Sequence, residues 1–363
     1  MNCEHIPKKI QLIKQNEVIR KCSCGQPCEY ICVSCHCGLC EICRDTHQHP
    51  VSITKTHGYC KECHKQLELN CFSKEYIQLL PPFLPWNAKG LGLYFKHHLP
   101  KNMIILAGAG ISTTAGIPDF RTPGTGLYDN LEQYNLPTPE SIFTLVYFDK
   151  NPQPFFTLSK ELMPGLGKYF PTVTHYFIRF LIDKGIVLKY LTQNIDGLEV
   201  QAGIPMNKLV LAHGHFYTGH CRKCKKKYKQ KDFFDDIQEG SICYCKCGGV
   251  IKPDIVFFGE QLPQEFHKSL NLFNKCDFLL VMGTSLQVQP FSGLIQKVKQ
   301  NTPRAFLNLS DVSEFGKRND IKVLQKTDDA VFEIVDYWGV GDEFRKFLDK
   351  MRVKEQKQAF GKK

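Results

Sequence analysis

A glycine-bearing turn after an apolar run is the part of the sequence best suited to binding a phosphate. The segment Met103–Arg121 reads MIILAGAGISTTAGIPDFR, and its first five residues predict a buried strand. Gly108 and Gly110 allow the backbone to turn tightly and to approach a pyrophosphate without a Cβ in between. Thr113 stands where the dinucleotide fingerprint of dehydrogenases requires a third glycine. The turn therefore predicts a phosphate site, but not one of the usual hydride-transfer kind.

Downstream of this turn, three consecutive residues supply side chains that suit a nucleotide. Asp119 supplies a carboxylate, Phe120 an aromatic ring, and Arg121 a planar guanidinium that can bind phosphate through two hydrogen bonds. The small polar residues before them predict the start of a helix, whose positive end would face the phosphate. The loop that follows, Thr122–Tyr134, is expected to close over the site as a lid.

Polar residues also follow the next apolar run. Ile186–Leu191 predicts a strand, and the segment after it contains Gln193, Asn194 and Asp196. In a parallel α/β sheet, ligands bind at the carboxyl ends of the strands. We therefore expect this cluster to bind sugar hydroxyls and an amide.

A histidine ends a third run. Leu209–Ala212 predicts a strand, and His213 follows it, where an imidazole can act as a general base near neutral pH. Two later strands are predicted with small polar residues at their ends: Phe278–Met282 before Gly283, Thr284 and Ser285, and Arg304–Leu309 with Asn308. Since parallel strands share one carboxyl edge, all of these groups are expected to meet there.

The elements that must position these groups alternate between strands and helices. Helices are predicted over Gly90–His98, over Thr172–Lys184 with Thr172 as its cap, and over Asp329–Trp338. This alternation predicts the α/β class with a parallel sheet. We expect a zinc-finger module over residues 1–71, a linker over 72–89, a catalytic domain over 90–345 and a frayed basic tail over 346–363.

Two cysteine pairs inside the expected catalytic domain predict a structural zinc site. Four of five candidates would bind the metal: Cys221, Cys224, Cys243, Cys245 and Cys247. Cys247 is one ligand of the second pair, and its partner is either Cys243 or Cys245. Four thiolates leave no open coordination position, so this zinc is not expected to take part in catalysis. The zinc-ribbon insert is expected over residues 216–252.

The first 71 residues hold twelve of the eighteen cysteines and predict further zinc binding. Cysteine pairs that alternate with a Cys/His pair suit tetrahedral zinc, and so short a segment needs metal to fold stably. Two zinc ions are expected, on Cys24, Cys28, Cys32, Cys35, Cys40, Cys43, His47 and His49. The spacing resembles a B-box zinc finger over residues 22–50. The alternative is a ubiquitin-binding zinc finger that also uses Cys3 and His5, so a protein or ubiquitin-like partner is expected.

Composition narrows the classes of partner. The eighteen cysteines of this 363-residue chain point to metal sites rather than disulfides, because no secretory signal opens the sequence. No apolar run reaches the roughly 18 residues of a membrane span, so no membrane partner is expected. The formal charge of +11 is spread along the chain without a nucleic-acid motif, and indicates a solvated surface. The expected compartment is the cytoplasm, with the nucleus as the alternative.

In their identity and order these motifs resemble the sirtuin family. The matching segments are Gly108-Ala-Gly-Ile-Ser, Pro118-Asp-Phe-Arg, Gly126-Leu-Tyr-Asp-Asn-Leu, Thr192-Gln-Asn-Ile-Asp, His213-Gly, the two cysteine pairs, Lys252-Pro-Asp-Ile-Val-Phe-Phe-Gly-Glu, Gly283-Thr-Ser-Leu-Gln-Val and Val288-Gln-Pro-Phe. They look most similar to the class I, deacetylase-active branch. The resemblance implies a Rossmann-like large domain, a small zinc-ribbon domain, and NAD-dependent removal of acetyl groups from lysines of histones or other proteins.

The resemblance also implies a role for each site residue. NAD would be held by Ala109, Gly110, Ile111, Ser112, Thr113, Asp119, Phe120, Arg121, Tyr128, Gln193, Asn194, Asp196, Gly283, Thr284, Ser285, Asn308 and Thr327. The groove for the acyl-lysine peptide would be lined by Val256, Phe257 and Phe258. Catalysis would depend on His213, Asn194 and Asp196. The strand predicted within 252–260 offers an edge with which an extended peptide could pair.

Two departures from the family pattern concern the adenosine end. Ser310 stands where the family often has an acid, and Gln325–Asp328 replaces a segment that usually meets adenine, so weaker NAD binding is expected there. The alternative functions are removal of other acyl groups, ADP-ribosyl transfer in the same cleft, and a zinc-finger scaffold with weak activity. Succinyl removal is disfavoured, because the groove has no obvious Tyr-x-x-Arg pair for an acidic acyl group.

Overall fold

The computed structural model describes residues 87–120, 124, 126–131, 134, 136–163, 168–315 and 320–360, together with four short strands near the N-terminus. The chain divides into two compact units, Met1–Pro85 and Trp86–Lys363. The first unit contains two antiparallel pairs: β1 (Ile10–Ile13) with β2 (Glu17–Arg20), and β3 (Tyr30–Ile31) with β4 (Gly38–Leu39). The eight zinc ligands predicted for this unit lie outside the described residues.

The second unit alternates between strands and helices. Its strands are β5 (Met103–Ala107), β6 (Val187–Thr192), β7 (Leu209–Leu211), β8 (Gly214–Cys221), β9 (Lys227–Lys229), β10 (Ile251–Ile255), β11 (Phe278–Met282), β12 (Arg304–Asn308) and β13 (Ile321–Leu324). Its α-helices are α1 (Ala88–His97), α2 (Leu145–Lys150), α3 (Gln153–Leu162), α4 (Val173–Asp183), α5 (Leu198–Gln201), α6 (Phe234–Glu239), α7 (Gln264–Ser269), α8 (Thr327–Trp338) and α9 (Gly341–Phe360). Within the described ranges, no helix combines the length and apolar character needed to cross a bilayer.

Six strands form one parallel sheet in the order β13-β12-β11-β5-β6-β7. The chain adds β6 and β7 on one side of β5, and then returns to add β11, β12 and β13 on the other. This is the doubly wound order of dinucleotide-binding folds, in which ligands bind beyond the carboxyl ends of the strands where the order reverses. Here those strands are β5 and β11, and both are buried along their whole length. The predicted α/β class with a Rossmann-like sheet is confirmed.

A smaller antiparallel sheet, in the order β10-β8-β9, is inserted between β7 and β11. Its core is largely aromatic: Phe216 and Phe233 are each 1% exposed and belong to one cluster with Ile237 of α6. Phe155 of α3 and Phe257 belong to the same cluster, with ring centroids 5.1 Å apart. Ring packing therefore holds the insert against the helices that precede it in the chain.

The helix predicted after the glycine turn is wrong in type and length. Two short 3₁₀ helices, Ala109–Ile111 and Thr113–Ala115, stand in its place. Gly116 ends the second one with a left-handed backbone (φ 90°), and Pro118 follows. A left-handed residue and a nearby proline both prevent an α-helix from continuing. The residues described after the turn, up to Phe120, therefore contain no long helix whose dipole could face it.

The segment predicted as a frayed tail is mostly helical, because α9 continues to Phe360. Phe344 and Leu348 of this helix are buried. The ring of Phe344 lies 5.4 Å from that of Phe180 and 6.0 Å from that of Phe177, both on α4. Apolar residues at helical spacing thus dock α9 on α4, a pattern that the lysines of the segment obscure in the sequence.

The turns after β5 and β11 contact each other through their backbones. The amide of Gly110 donates to the carbonyl oxygen of Gly283 at 2.8 Å, and the amide of Gly108 donates to that of Met282 at 3.1 Å. A Cβ on Gly283 would lie 2.4 Å from the backbone nitrogen of Ile111, and the φ of Gly283 is +58°. Position 283 therefore requires glycine for space as well as for conformation.

We expect Gly283→Ala to destabilise the protein by about 2–4 kcal/mol, because a backbone clash adds to the cost of a left-handed alanine. Gly185→Ala is the matched control: its φ is also positive (+75°), but nothing lies within 4 Å of the position of its Cβ. The control should lose only about 1 kcal/mol. Urea unfolding measures both free energies, and equal losses would contradict the close contact of the two turns.

Candidate active site

A cavity of about 570 Å³ opens at the carboxyl edge of the large sheet. The turns after β5, β6, β11 and β12 line it, together with His213 after β7 and the segment 256–258 after β10. Polar groups that lie far apart in the sequence therefore meet at this edge, as the parallel strands predict. The predicted site residues on its wall are Ala109, Gly110, Thr113, Asp119, Phe120, Tyr128, Gln193, Asn194, His213, Val256, Phe257, Phe258, Gly283, Thr284, Ser285, Asn308 and Thr327.

Three residues predicted to contact NAD are placed differently, and a fourth lies outside the described residues. Ile111 and Ser112 are fully buried, Asp196 is 8% exposed, and none of the three lies on the cavity wall. Arg121 lies outside the described residues, so its phosphate contact stays a prediction. The lid predicted after it is described only in part, with Tyr128 on the cavity wall.

Asn194 is held by the glycine turn. Its Nδ2 donates to the carbonyl oxygen of Gly108 at 3.2 Å and to Ser112 Oγ at 3.3 Å. The Ser112 hydroxyl in turn donates to Asp196 Oδ2 at 2.7 Å, and the amide of Leu198 donates to Asp196 Oδ1 at 2.9 Å. This network joins the turn after β6 to the turn after β5 and fixes the Asn194 side chain on the wall.

His213 has the properties of a neutral base. Burial lowers the pKa of His213 to about 4, and a hydrogen bond with the backbone of Gln193 opposes that shift only in part. The imidazole is therefore uncharged at neutral pH, with one ring nitrogen engaged and the other able to accept a proton. The ring of Phe291 packs edge-on against it, with the centroids 6.1 Å apart.

The glycine turn has fewer free amides than a phosphate cradle would offer. The amide of Gly108 donates to Met282 at the end of β11, that of Gly110 donates to Gly283 in the turn after it, and the next two amides donate back within their own turn. The two glycines are needed because a Cβ on either would lie 2.8 Å from an atom of Gly283 or Thr284. Close packing of the two turns thus explains this spacing independently of any ligand.

Polar side chains at the ends of β6, β11 and β12, and one at the start of α8, also line the cavity. Gln193 Nε2 donates to Thr284 Oγ1 at 2.8 Å, which joins the turns after β6 and β11. Asn308 Nδ2 donates to the carbonyl oxygen of Ser310 at 2.8 Å. Thr327, the first residue of α8, is buried and also reaches the wall. The part of the cavity wall near β11 and β12 therefore carries hydroxyl and amide groups.

The strand predicted to continue toward Glu260 ends at Ile255. The Glu260 carboxylate folds back and accepts from the amide of Phe257 at 2.8 Å and from Lys252 Nζ at 2.9 Å. An acid that turns back onto its own segment cannot continue a strand. The chain therefore leaves the sheet just before the residues predicted to bind the peptide.

These residues also lack free amides for a peptide strand. The amide of Val256 donates to the carbonyl oxygen of His213, and that of Phe258 donates to the carbonyl oxygen of Phe143. With the amide of Phe257 bonded as well, none of the three is free to donate to an added strand. Their side chains still line the cavity, and Phe258 is 43% exposed.

Four of the five candidate cysteines lie together in the insert. The sulfur atoms within 4.8 Å of one another are those of Cys221, Cys224, Cys245 and Cys247. Two of the sulfur–sulfur distances are 3.5 Å and 3.6 Å, close to the edge of a tetrahedron with Zn–S bonds of about 2.3 Å. Cys243 lies apart, with its thiol near the carbonyl oxygen of Phe233. The donor set fits a structural zinc and favours Cys245 over Cys243 as the fourth ligand.

The model of the Sir2 family matches residues 108–290, which contain the glycine turn, His213 and the cysteine cluster. The chain belongs to the Sir2 family. The NAD-dependent protein deacetylase sirtuin-3 of Mus musculus is 46% identical over 256 residues, 69% of this chain and 76% of that protein. The NAD-dependent protein deacetylase sirtuin-2 of Danio rerio is 52% identical over 222 residues, 60% of this chain and 58% of that protein. The NAD-dependent deacetylase sir2A of Dictyostelium discoideum is 47% identical over 264 residues, 68% of this chain and 51% of that protein.

Sequence reasoning missed two buried polar residues beside the site of this Sir2 family member. His175 on α4 and Glu199 on α5 are fully buried, next to Asp196. The periodicity of α4 predicts a core helix, and it does not reveal that one of its inward residues is a histidine facing carboxylates. A signal was available for Glu199, which follows the motif containing Asp196 by only three residues.

Cys247→Ser is expected to lower the zinc content of the purified protein by one equivalent relative to wild type, and to lower its melting temperature. The variant removes one of four thiolates that hold the ion. Cys243→Ser is the matched control and should keep the wild-type zinc content, since Cys243 lies outside the cluster. Metal analysis of the three proteins measures the difference, and zinc loss from the control instead would show that the ligand set is different.

Proposed function

We propose that this chain is an NAD-dependent protein-lysine deacetylase that transfers the acetyl group to ADP-ribose and releases nicotinamide. The observation that carries the proposal is one cavity that joins His213 and Asn194 to the turns after β5 and β11, at the switch point of a doubly wound sheet. The three relatives described above are named as NAD-dependent deacetylases. Acetylated lysines of histones or other proteins are the proposed substrates.

The cavity wall suits a dinucleotide because it combines exposed backbone, hydroxyls and amides. When bound, NAD would supply the ADP-ribose that accepts the acetyl group. The pyrophosphate would lie against the turn at Ala109 and Gly110 and would be bound by the guanidinium of Arg121. The adenosine half would contact Gly283, Thr284, Ser285, Asn308 and Thr327. The nicotinamide end would lie near Asp119, Phe120 and Tyr128.

Gln193 and Asn194 would hold the nicotinamide ribose, and Asp196 would bind the carboxamide of nicotinamide. The hydrogen bonds from Asn194 to Gly108 and Ser112 hold this amide rigidly at the wall. Each carboxylate oxygen of Asp196 accepts one hydrogen bond from the chain and keeps a second lone pair. A carboxamide would therefore bind Asp196 without displacing the hydrogen bonds from Ser112 and Leu198.

His213 would act as the general base. Its imidazole is neutral, and the bond with the backbone of Gln193 leaves one nitrogen free. That nitrogen would take a proton from a hydroxyl of the ribose, so that the hydroxyl oxygen can attack the acetyl carbon. A positioned base of this kind raises the reaction rate by a factor of roughly 10²–10⁴.

Other acyl groups and ADP-ribosyl transfer are the alternatives within the same cavity, and a zinc-finger scaffold with weak activity is the alternative outside catalysis. The wall near the peptide is aromatic and aliphatic, with Val256 and Phe258, which favours an uncharged acyl group. Peptides of one sequence with acetyl-, myristoyl- or succinyl-lysine would separate these activities. Nicotinamide release without any effect of the peptide would favour ADP-ribosyl transfer instead.

Two further proposals rest on the sequence alone. The N-terminal module, residues 1–71, is proposed to bind zinc through its cysteine and histidine residues and to contact a protein or ubiquitin-like partner. The proposed compartment is the cytoplasm, with the nucleus as the alternative.

His213→Ala is expected to bind NAD within about threefold of wild type and to lose deacetylation by roughly 10²–10⁴, because the base is removed while the cavity wall remains. The measurement is nicotinamide release from NAD with an acetyl-lysine peptide, together with calorimetric NAD binding. His97→Ala, which changes an exposed histidine away from the cavity, is the control and should keep wild-type turnover. Robust deacetylation by His213→Ala would refute the assignment.

A further inference from the structure

Behind the cavity wall, three buried side chains face one another across a gap. One imidazole nitrogen of His175 and one carboxylate oxygen each of Asp196 and Glu199 lie within 4.8 Å of one another. His175 and Glu199 are fully buried, and Asp196 is nearly so. They come from α4, from α5 and from the turn between β6 and α5, so only the fold brings them together.

Two of these side chains carry an atom that has no hydrogen-bond partner in the described part of the chain: His175 Nε2 and Glu199 Oε2. The other carboxylate oxygen of Glu199 accepts from the hydroxyls of Thr192 at 2.7 Å and Tyr190 at 3.2 Å. Buried polar atoms are almost always paired with protein or with ordered water. The two unpaired atoms therefore point to an occupant of the gap.

The occupant that suits these atoms is a water molecule. Burial lowers the pKa of His175 to about 3, so the ring stays neutral at physiological pH. The backbone amide and the hydroxyl of Thr172 both lie within hydrogen-bond distance of His175 Nδ1, at 3.2 Å and 2.8 Å, and these contacts fit either neutral tautomer. A water molecule can accept from a protonated Nε2 or donate to an unprotonated one, and it can also bond to both carboxyl groups.

The carboxyl pair of Asp196 and Glu199 holds one proton near neutral pH. Burial raises the pKa of Asp196 as well, and the donated hydrogen bonds from the amide of Leu198 and the hydroxyl of Ser112 oppose that shift. Burial, and then the charge of Asp196, raise the pKa of Glu199 to about 8. The proton therefore belongs on Glu199. The other titratable groups that face the pair are Tyr190 on β6, Tyr217 on β8 and His175 on α4.

We propose that Glu199, in its neutral form, is a positioning residue that holds Asp196 through one buried water molecule shared with His175. The water pairs with His175 Nε2, accepts the carboxyl proton of Glu199 and donates to Asp196. Through Asp196 and Ser112 the network reaches Asn194 on the cavity wall. The effect on turnover rests on the proposed function, whereas the protonation of Glu199 can be measured on the folded protein alone.

Melting curves of Glu199→Gln test, without an activity assay, whether Glu199 is protonated in the folded protein. Glutamine keeps the shape and donates where the carboxyl proton stood. Because folding raises the pKa of Glu199, the wild type loses stability as the pH rises toward about 8, and the variant lacks this loss. The melting temperature of the variant minus that of wild type should therefore increase between about pH 5.5 and about pH 8.5. Glu265→Gln, at an exposed carboxylate, is the matched control without this trend. A constant or decreasing difference for Glu199→Gln overturns the proposal.

The turnover numbers of two Glu199 variants then distinguish a positioning role of Glu199 from a role in packing alone. Glu199→Gln should keep kcat within about twofold at neutral pH and lose the alkaline decline of the wild type, with KM for NAD unchanged. Glu199→Ala, which removes both the proton and the acceptor, should lower kcat about tenfold or more. A Glu199→Gln variant as inactive as Glu199→Ala, or one that loses a metal equivalent, overturns the proposal. Absence of deacetylation by the wild type would refute the proposed function, and the melting curves would still decide on the network.

Discussion

The contact between the turns after β5 and β11 is the constraint on which the rest of the site depends. These turns are so close that a Cβ fits on neither Gly110 nor Gly283. They follow the two strands at which the order of the sheet reverses. Their contact therefore fixes the part of the cavity wall to which the other site residues are bonded. Gln193 reaches one of the turns through Thr284, and Asn194 reaches the other through Gly108.

Burial, more than ion pairing, determines which groups of the site carry charge. Desolvation keeps His213 neutral and leaves it able to accept a proton. The same effect raises the pKa of Glu199 to about 8 and also raises that of Asp196, where hydrogen bonds from Leu198 and Ser112 oppose the shift. A neutral base at the wall and a single buried charge behind it are therefore consequences of how far each group lies from solvent and of which donors reach it.

The sequence predicts the parts of this arrangement that depend on local pattern. Five apolar residues in a row identify β5 and β11 with their correct bounds, and the polar residues after each run meet as parallel strands require. What it does not predict depends on contacts between distant residues. The end of β10 at Ile255 requires the Glu260 side chain to fold back, and the gap beside Glu199 requires α4 to bring His175 to the turn after β6. Neither contact has a signature at fixed spacing.

The most direct test of the central claim is a crystal structure of the chain with an acetyl-lysine peptide and an NAD analogue whose glycosidic bond cannot be cleaved. The account predicts the pyrophosphate against Ala109 and Gly110, with the nicotinamide ribose between Asn194 and the imidazole of His213. A dinucleotide bound away from the turns after β5 and β11, or a ribose out of reach of His213, would contradict it.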